Sequence, residues 1–126
     1  MELPVHLRNR LLSNSDIVAL VGDRISTGPE TPQDLPFPLI LILRVSTTVE
    51  NRLSQTSDWY ESTFDISCRS ANKGVTERLA KLVSIELDGN PDPVILLGGL
   101  TEDFDDDEKI HMIDVEVTIY GPSEIN

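Results

Sequence analysis

Trp59-Tyr-Glu-Ser-Thr-Phe-Asp-Ile-Ser-Cys-Arg69 alternates with a period of two. Tyr60, Phe64, Ile66 and Cys68 fall on one side, and Glu61, Thr63, Asp65, Ser67 and Arg69 on the other. Period two is the repeat of an extended strand, whose successive side chains point to opposite faces of a sheet. One apolar and one polar side describe a strand covered on a single face, the common condition of antiparallel sheets.

The flanking segments supply its partners. Leu39-Ile-Leu-Ile-Leu-Arg-Val45 is apolar on both sides and is expected to be a central strand running antiparallel to 59–69. Before it, residues 26–38 contain Pro29, Pro32, Pro36 and Pro38 and read as a loop, because proline has no N–H to give a ladder. The polar stretch Ser46–Asp58 reads as a second loop or a loose hairpin arm.

The amino-terminal segment is helical by spacing, with Leu7, Leu11 and Leu12 on one face. Ser13-Asn-Ser-Asp16 has capping-box form ahead of Ile17, Val18, Leu20 and Val21, so a break and a second short helix ending at Gly22 are expected. Beyond the decisive strand, Asn72 is placed to cap a helix carrying Val75, Leu79, Leu82 and Val83, with Gly89-Asn-Pro91 as its stop. Val94–Leu97 reads as a short strand followed by Gly98-Gly99, and 109–120 as the last strand. In that last strand Ile110 and Met112 are even-numbered whereas Ile113, Val115, Val117 and Ile119 are odd. Such a phase slip predicts a β-bulge near Met112-Ile113. The fold class is α+β: a mainly antiparallel sheet of about four strands with helices packed on one face, in the order α-β-β-α-β-β, forming a single domain over 1–126.

The chain has 126 residues, of which 10 are basic and 22 acidic, for a formal net charge of −12. No apolar run reaches the roughly 18–20 residues of a membrane span, and the amino terminus lacks the apolar core of a secretory signal. The lone Cys68 excludes an internal disulfide and any paired-cysteine motif, which fits a reducing cytoplasm. The acidic balance argues against gripping nucleic acid, since phosphate contacts require Lys or Arg. It is compatible with surrounding DNA that must slide.

Few residues suggest chemistry. No nucleophile elbow, phosphate loop or His–Cys cluster is present, so no catalytic, cofactor or metal residues are assigned and no enzyme activity is expected. Cys68, on the apolar side of its strand, reads as a buried hydrophobe. His6 and His111 stand apart in sequence. Glu102, Asp103, Asp105, Asp106, Asp107 and Glu108 are six carboxylates in seven residues and account for half of the net charge. Asp103, Asp105 and Asp107 imitate the start of a calcium loop, but Glu108 stands where that loop needs glycine. The run therefore reads as a solvated hairpin tip or as a negative surface facing DNA or a basic partner. Arg8, Arg10 and Arg24 form a positive amino-terminal end and are candidate inter-subunit contacts, because opposite charges at two ends favour head-to-tail rings.

Leu20-Val-Gly-Asp-Arg-Ile25, Thr31-Pro-Gln33 and Pro36-Phe-Pro-Leu-Ile40, then Phe64-Asp-Ile-Ser-Cys68 and the helix over Ala71–Leu87, resemble the tail completion family of long-tailed bacteriophages. The resemblance spans most of the chain; the acidic run and the carboxyl-terminal residues are not part of it. It implies a tail terminator or head-to-tail joining protein, similar in fold to the minor tail protein U group. Such a protein is made in the host cytoplasm and forms a ring, expected to be hexameric, at the head-proximal end of the virion tail tube. It ends tube polymerisation and joins the tail to the head. The implied partners are copies of itself, the tail tube protein and the head completion or connector protein. DNA passes through the lumen without specific binding, and no membrane is involved. Loops 26–38 and 46–58 are the expected axial contacts. The alternative is an acidic DNA mimic that inhibits a nucleic-acid-binding protein.

Overall fold

The computed structural model describes residues 3–27, 38–50, 59–88 and 94–121. Its elements are α1 (Leu3–Leu12), α2 (Ser15–Val21), β1 (Ile25–Ser26), β2 (Leu39–Glu50), β3 (Trp59–Ser70), α3 (Lys73–Leu87), β4 (Val94–Asp105) and β5 (Ile110–Gly121). Five strands form one sheet in the order β1-β2-β3-β5-β4. All neighbours are antiparallel except β1, which pairs parallel to β2 through Ile25–Ile40 and Ser26–Leu41.

The helices lie on one face of the sheet, as the alternation of β3 requires. Leu3, Leu7 and Leu11 repeat every four residues along α1, and Leu79, Val83 and Leu87 do the same along α3. They meet Ile40, Ile42, Phe64, Ile66, Cys68, Val115 and Val117 in one buried cluster. Asn14 is the N-cap of α2, its side-chain oxygen accepting from the N–H groups of Asp16 (2.9 Å) and Ile17 (3.1 Å). The cap is therefore one residue later than the capping-box spacing implied. Gly22 ends α2 at φ 61°, a conformation open to glycine at little cost.

Asn72 caps α3 by accepting from Val75 N–H at 3.1 Å. The α3 stop predicted at 89–91 lies outside the described residues; α3 ends at Leu87 with Asp88 as C-cap. At the start of α3 a buried hydroxyl pair, Ser70 Oγ and Thr76 Oγ1 at 2.7 Å, joins the end of β3 to the helix.

Two expectations are corrected and one open alternative is decided. The sheet has five strands rather than about four, because the two-residue β1 is too short for any periodicity to reveal. Of the two readings of the polar stretch, residues Ser46–Glu50 take the hairpin arm rather than the loop: they continue β2 alongside Trp59–Thr63, whose ladder satisfies their backbone. The register of β5 runs unbroken through Met112 and Ile113 against both neighbours. The bulges fall instead at Val45 in β2 and at Gly98-Gly99 in β4, which continues to Asp105. The phase slip in β5 has another origin. Ile113, Val115, Val117 and Ile119 face the helices, whereas Ile110 and Met112 belong to the opposite face, where Leu39 and Leu41 are also buried.

Candidate functional site

The acidic run closes the β4–β5 hairpin. Glu102, Asp103 and Asp105 end β4; Asp106, Asp107 and Glu108 form the turn, which Lys109 completes at φ 58°. Asp105 organises the turn by accepting from the N–H groups of Asp107 (2.9 Å) and Glu108 (3.1 Å) with one carboxylate oxygen. Alternation pairs Glu102 with Ile113 on the helix side and Asp103 with Met112 on the other, so the six carboxylates do not share one surface. Among the described residues no group of three or more His, Cys, Asp or Glu side chains is arranged to hold a metal ion.

Arg8, Arg10 and Arg24 work inside the subunit. Arg8 Nε donates to the Ile25 carbonyl at 2.7 Å, tying α1 to β1. Arg24 donates to the carbonyls of Pro38 (2.9 Å) and Leu20 (3.3 Å), bridging the start of β2 and the end of α2. Arg10 pairs with Glu86 of α3 at 3.3 Å, and Asn14 donates to the other oxygen of the same carboxylate at 2.9 Å. The positive end read from the sequence is thus first a set of fasteners holding the amino-terminal helices to the sheet.

The face of the sheet turned away from the helices carries a second acidic surface that sequence reasoning did not single out. Asp65 stands directly opposite Glu116, and Ser67 opposite Asp114. Glu61 accepts from the Tyr120 hydroxyl at 3.4 Å, and the Thr63 and Thr118 hydroxyls meet at 3.3 Å. Partial burial, followed by the charges of Asp114 and Glu116, raises the Asp65 pKa above the usual carboxylate value. Gly98 makes room here: a Cβ at that position would lie 2.5 Å from a Glu116 carboxylate oxygen. The signal was available in two polar alternations, 61–69 and 114–118. Only the register of β3 against β5 brings them side by side.

The sequence that folds in this way matches the family model described as tail completion protein gp17 over residues 5–120. The chain belongs to that family. Among solved structures, a chain from the virion of a native gene transfer agent particle is similar at a TM-score of 0.69. The match covers 95% of this chain and 96% of that one at 17% identity, so what the two share is the fold. No curated protein matches.

A tail completion protein is a structural component of the virion tail, not an enzyme. The side chains agree with a structural role. Cys68 is fully buried, and burial, then the charge of Asp114, pushes its thiol pKa well above the ordinary value, which leaves it unreactive. His111 stacks on Phe104 at 4.5 Å between ring centroids, beside a cleft of about 420 Å³ that Lys73, Thr76 and Ile113 also line. Among the described residues no helix is long and apolar enough to cross a membrane. Most of the two expected axial loops, residues 28–37 and 51–58, lies outside the described residues.

Proposed function

We propose that the protein forms a ring, hexameric by analogy with tail terminators, at the head-proximal end of the tail tube. The ring stops tube polymerisation and offers the surface to which the head completion or connector protein docks. The observation that carries this reading is the family match across nearly the whole fold. DNA passes through the lumen without specific binding. The net charge of −12 and the carboxylates on the helix-free face support a wall that repels a polyanion. The hairpin carboxylates Glu102, Asp103, Asp105, Asp106, Asp107 and Glu108 face the channel or a basic partner. Arg8, Arg10 and Arg24 complement acidic groups of a neighbouring copy in addition to their bonds within the subunit. The acids on the helix-free face also suit the DNA-mimic alternative, and the family match favours the virion role over it.

The test is electron microscopy of particles from a host producing every virion protein except this one. Filled heads beside unattached tails of irregular, excessive length are expected. Normal-length tails beside free heads would reduce the role to joining, and intact particles would reject the structural reading.

A further inference from the structure

The sheet has two outer edges, and they differ along their length. β4 pairs only with β5 among the described residues, so its outer edge is open from Val94 to Asp105. Among the described residues the outer edge of β2 is capped by β1 only at Ile40 and Leu41, and none of them pairs with its second half on that side. The register places these features at matching heights. Ser46, Thr63, Thr118 and Leu96 form one rung across the sheet and Thr48, Glu61, Tyr120 and Val94 another, so Val94–Leu96 is level with Ser46–Thr48 in the second half of β2 and Leu97 with Arg44. Glu102 shares its rung with Ile113, Cys68 and Ile40, level with the capped end.

Exposed strand edges are normally guarded by charge, proline or brevity. The carboxyl-terminal half of β4 is guarded by Glu102, Asp103 and Asp105, whereas Val94-Ile-Leu-Leu97 has no charge or proline. Leu96 is 49% exposed and Leu100 61%, on either side of the Gly98-Gly99 bulge, and on the other edge Val45 is 56% exposed at its own bulge. Strand direction alternates from β2 through β3 and β5 to β4. A copy related by rotation about an axis along the strands keeps those directions, so β4 of one copy meets β2 of the next in antiparallel sense. The two edges are different surfaces, as a head-to-tail ring requires. Bulges add the local bend that closing a sheet needs.

We propose that Val94–Leu97 of one copy adds as a strand to the open Ser46–Glu50 edge of the next, so that the sheets of successive subunits run into one another around the ring. The inference rests on the ring reading above, and the experiment separates the two. Ser46→Cys is combined in turn with Val94→Cys and Leu96→Cys, which samples two registers on one strand; the buried Cys68 does not compete. Tails assembled with each variant are oxidised and run on non-reducing gels. One pairing is expected to give a ladder of cross-linked species ending at the closed ring. In parallel, Leu96→Pro and Leu97→Pro remove adjacent N–H groups, of which one points to β5 and the other outward. The outward one is expected to leave thermal unfolding unchanged while abolishing rings on tails. Rings that form with both cysteine pairs uncross-linked, and with both proline variants, would overturn the edge contact and leave the ring standing. Wild-type protein sitting on tails as single copies would overturn both.

Discussion

The two faces of the five-stranded sheet are woven from the same alternating strands, yet the one under the helices is mainly apolar, whereas the other has buried Leu39, Leu41 and Ile110 at one end and gathers acids at its middle. Under the helices, Ile42, Ile66 and Val115 lie on one rung with no polar atom among their side chains. One residue along, Leu43, Asp65 and Glu116 share the next rung on the bare face. The helix-covered face makes the fold stable, and the middle of the other face carries the acids Asp65, Asp114 and Glu116. A structural protein of this kind does not need a pocket. It needs a rigid sheet whose uncovered face and edges are tuned separately from its core.

The comparison breaks most severely at Phe64, fully buried under the helices. Phe64→Ala is expected to cost about 3–5 kcal/mol through lost burial and the cavity left behind, measured by urea denaturation. Thr76→Val keeps the shape but removes a hydroxyl that bonds Ser70 and the Asn72 carbonyl; Ser70 keeps its own bonds to Asn72, so the cost should be about 0.5–1.5 kcal/mol in the same assay. Asn14→Ala removes the cap of α2 and one bond to Glu86, for about 1 kcal/mol.

On the bare face the sign reverses. Asp65 is held more easily protonated in the folded chain than in the unfolded one, so stability falls as pH rises from the ordinary value of 3.8 through the raised folded value. Asp65→Asn should flatten that fall and raise neutral-pH stability by up to about 0.5 kcal/mol, the scale of a like-charge cross-strand pair. A melting curve with unaltered pH dependence would show that Asp114 and Glu116 do not act on it. The smallest effect on folding belongs to the hairpin. Replacing its six carboxylates with Asn and Gln should change stability by no more than about 0.5 kcal/mol. The same variant should lower head joining or slow DNA ejection in a complementation assay; unchanged infectivity would remove the hairpin from both roles.

Elements with a strong local pattern were legible in advance. The alternation from Trp59 predicts β3 to within one residue at its end, and Asn72 marks the start of α3. The elements that lacked such a pattern were left open or misread for one reason. Ser46–Glu50 carries no apolar period, and its strand character comes from the ladder with β3. The phase change at Met112-Ile113 imitates a bulge, because a strand buried on both faces at one end looks like a strand that slips. Gly98-Gly99, which in the sequence follows a short strand over Val94–Leu97, is the bulge that lets β4 run on to Asp105.

Charge was legible in amount but not in use. The sequence by itself determined an acidic α+β chain with one covered sheet face, no catalytic constellation and the motifs of its family, because periodicity, capping and composition are local properties. Only the tertiary structure decided that Arg8, Arg10 and Arg24 are spent on carbonyls and Glu86 within the subunit, that Asp65, Asp114 and Glu116 gather on one surface, and which strand edges stay open. Those outcomes depend on which strands pair and in what register, and a one-residue change of register would exchange the two faces.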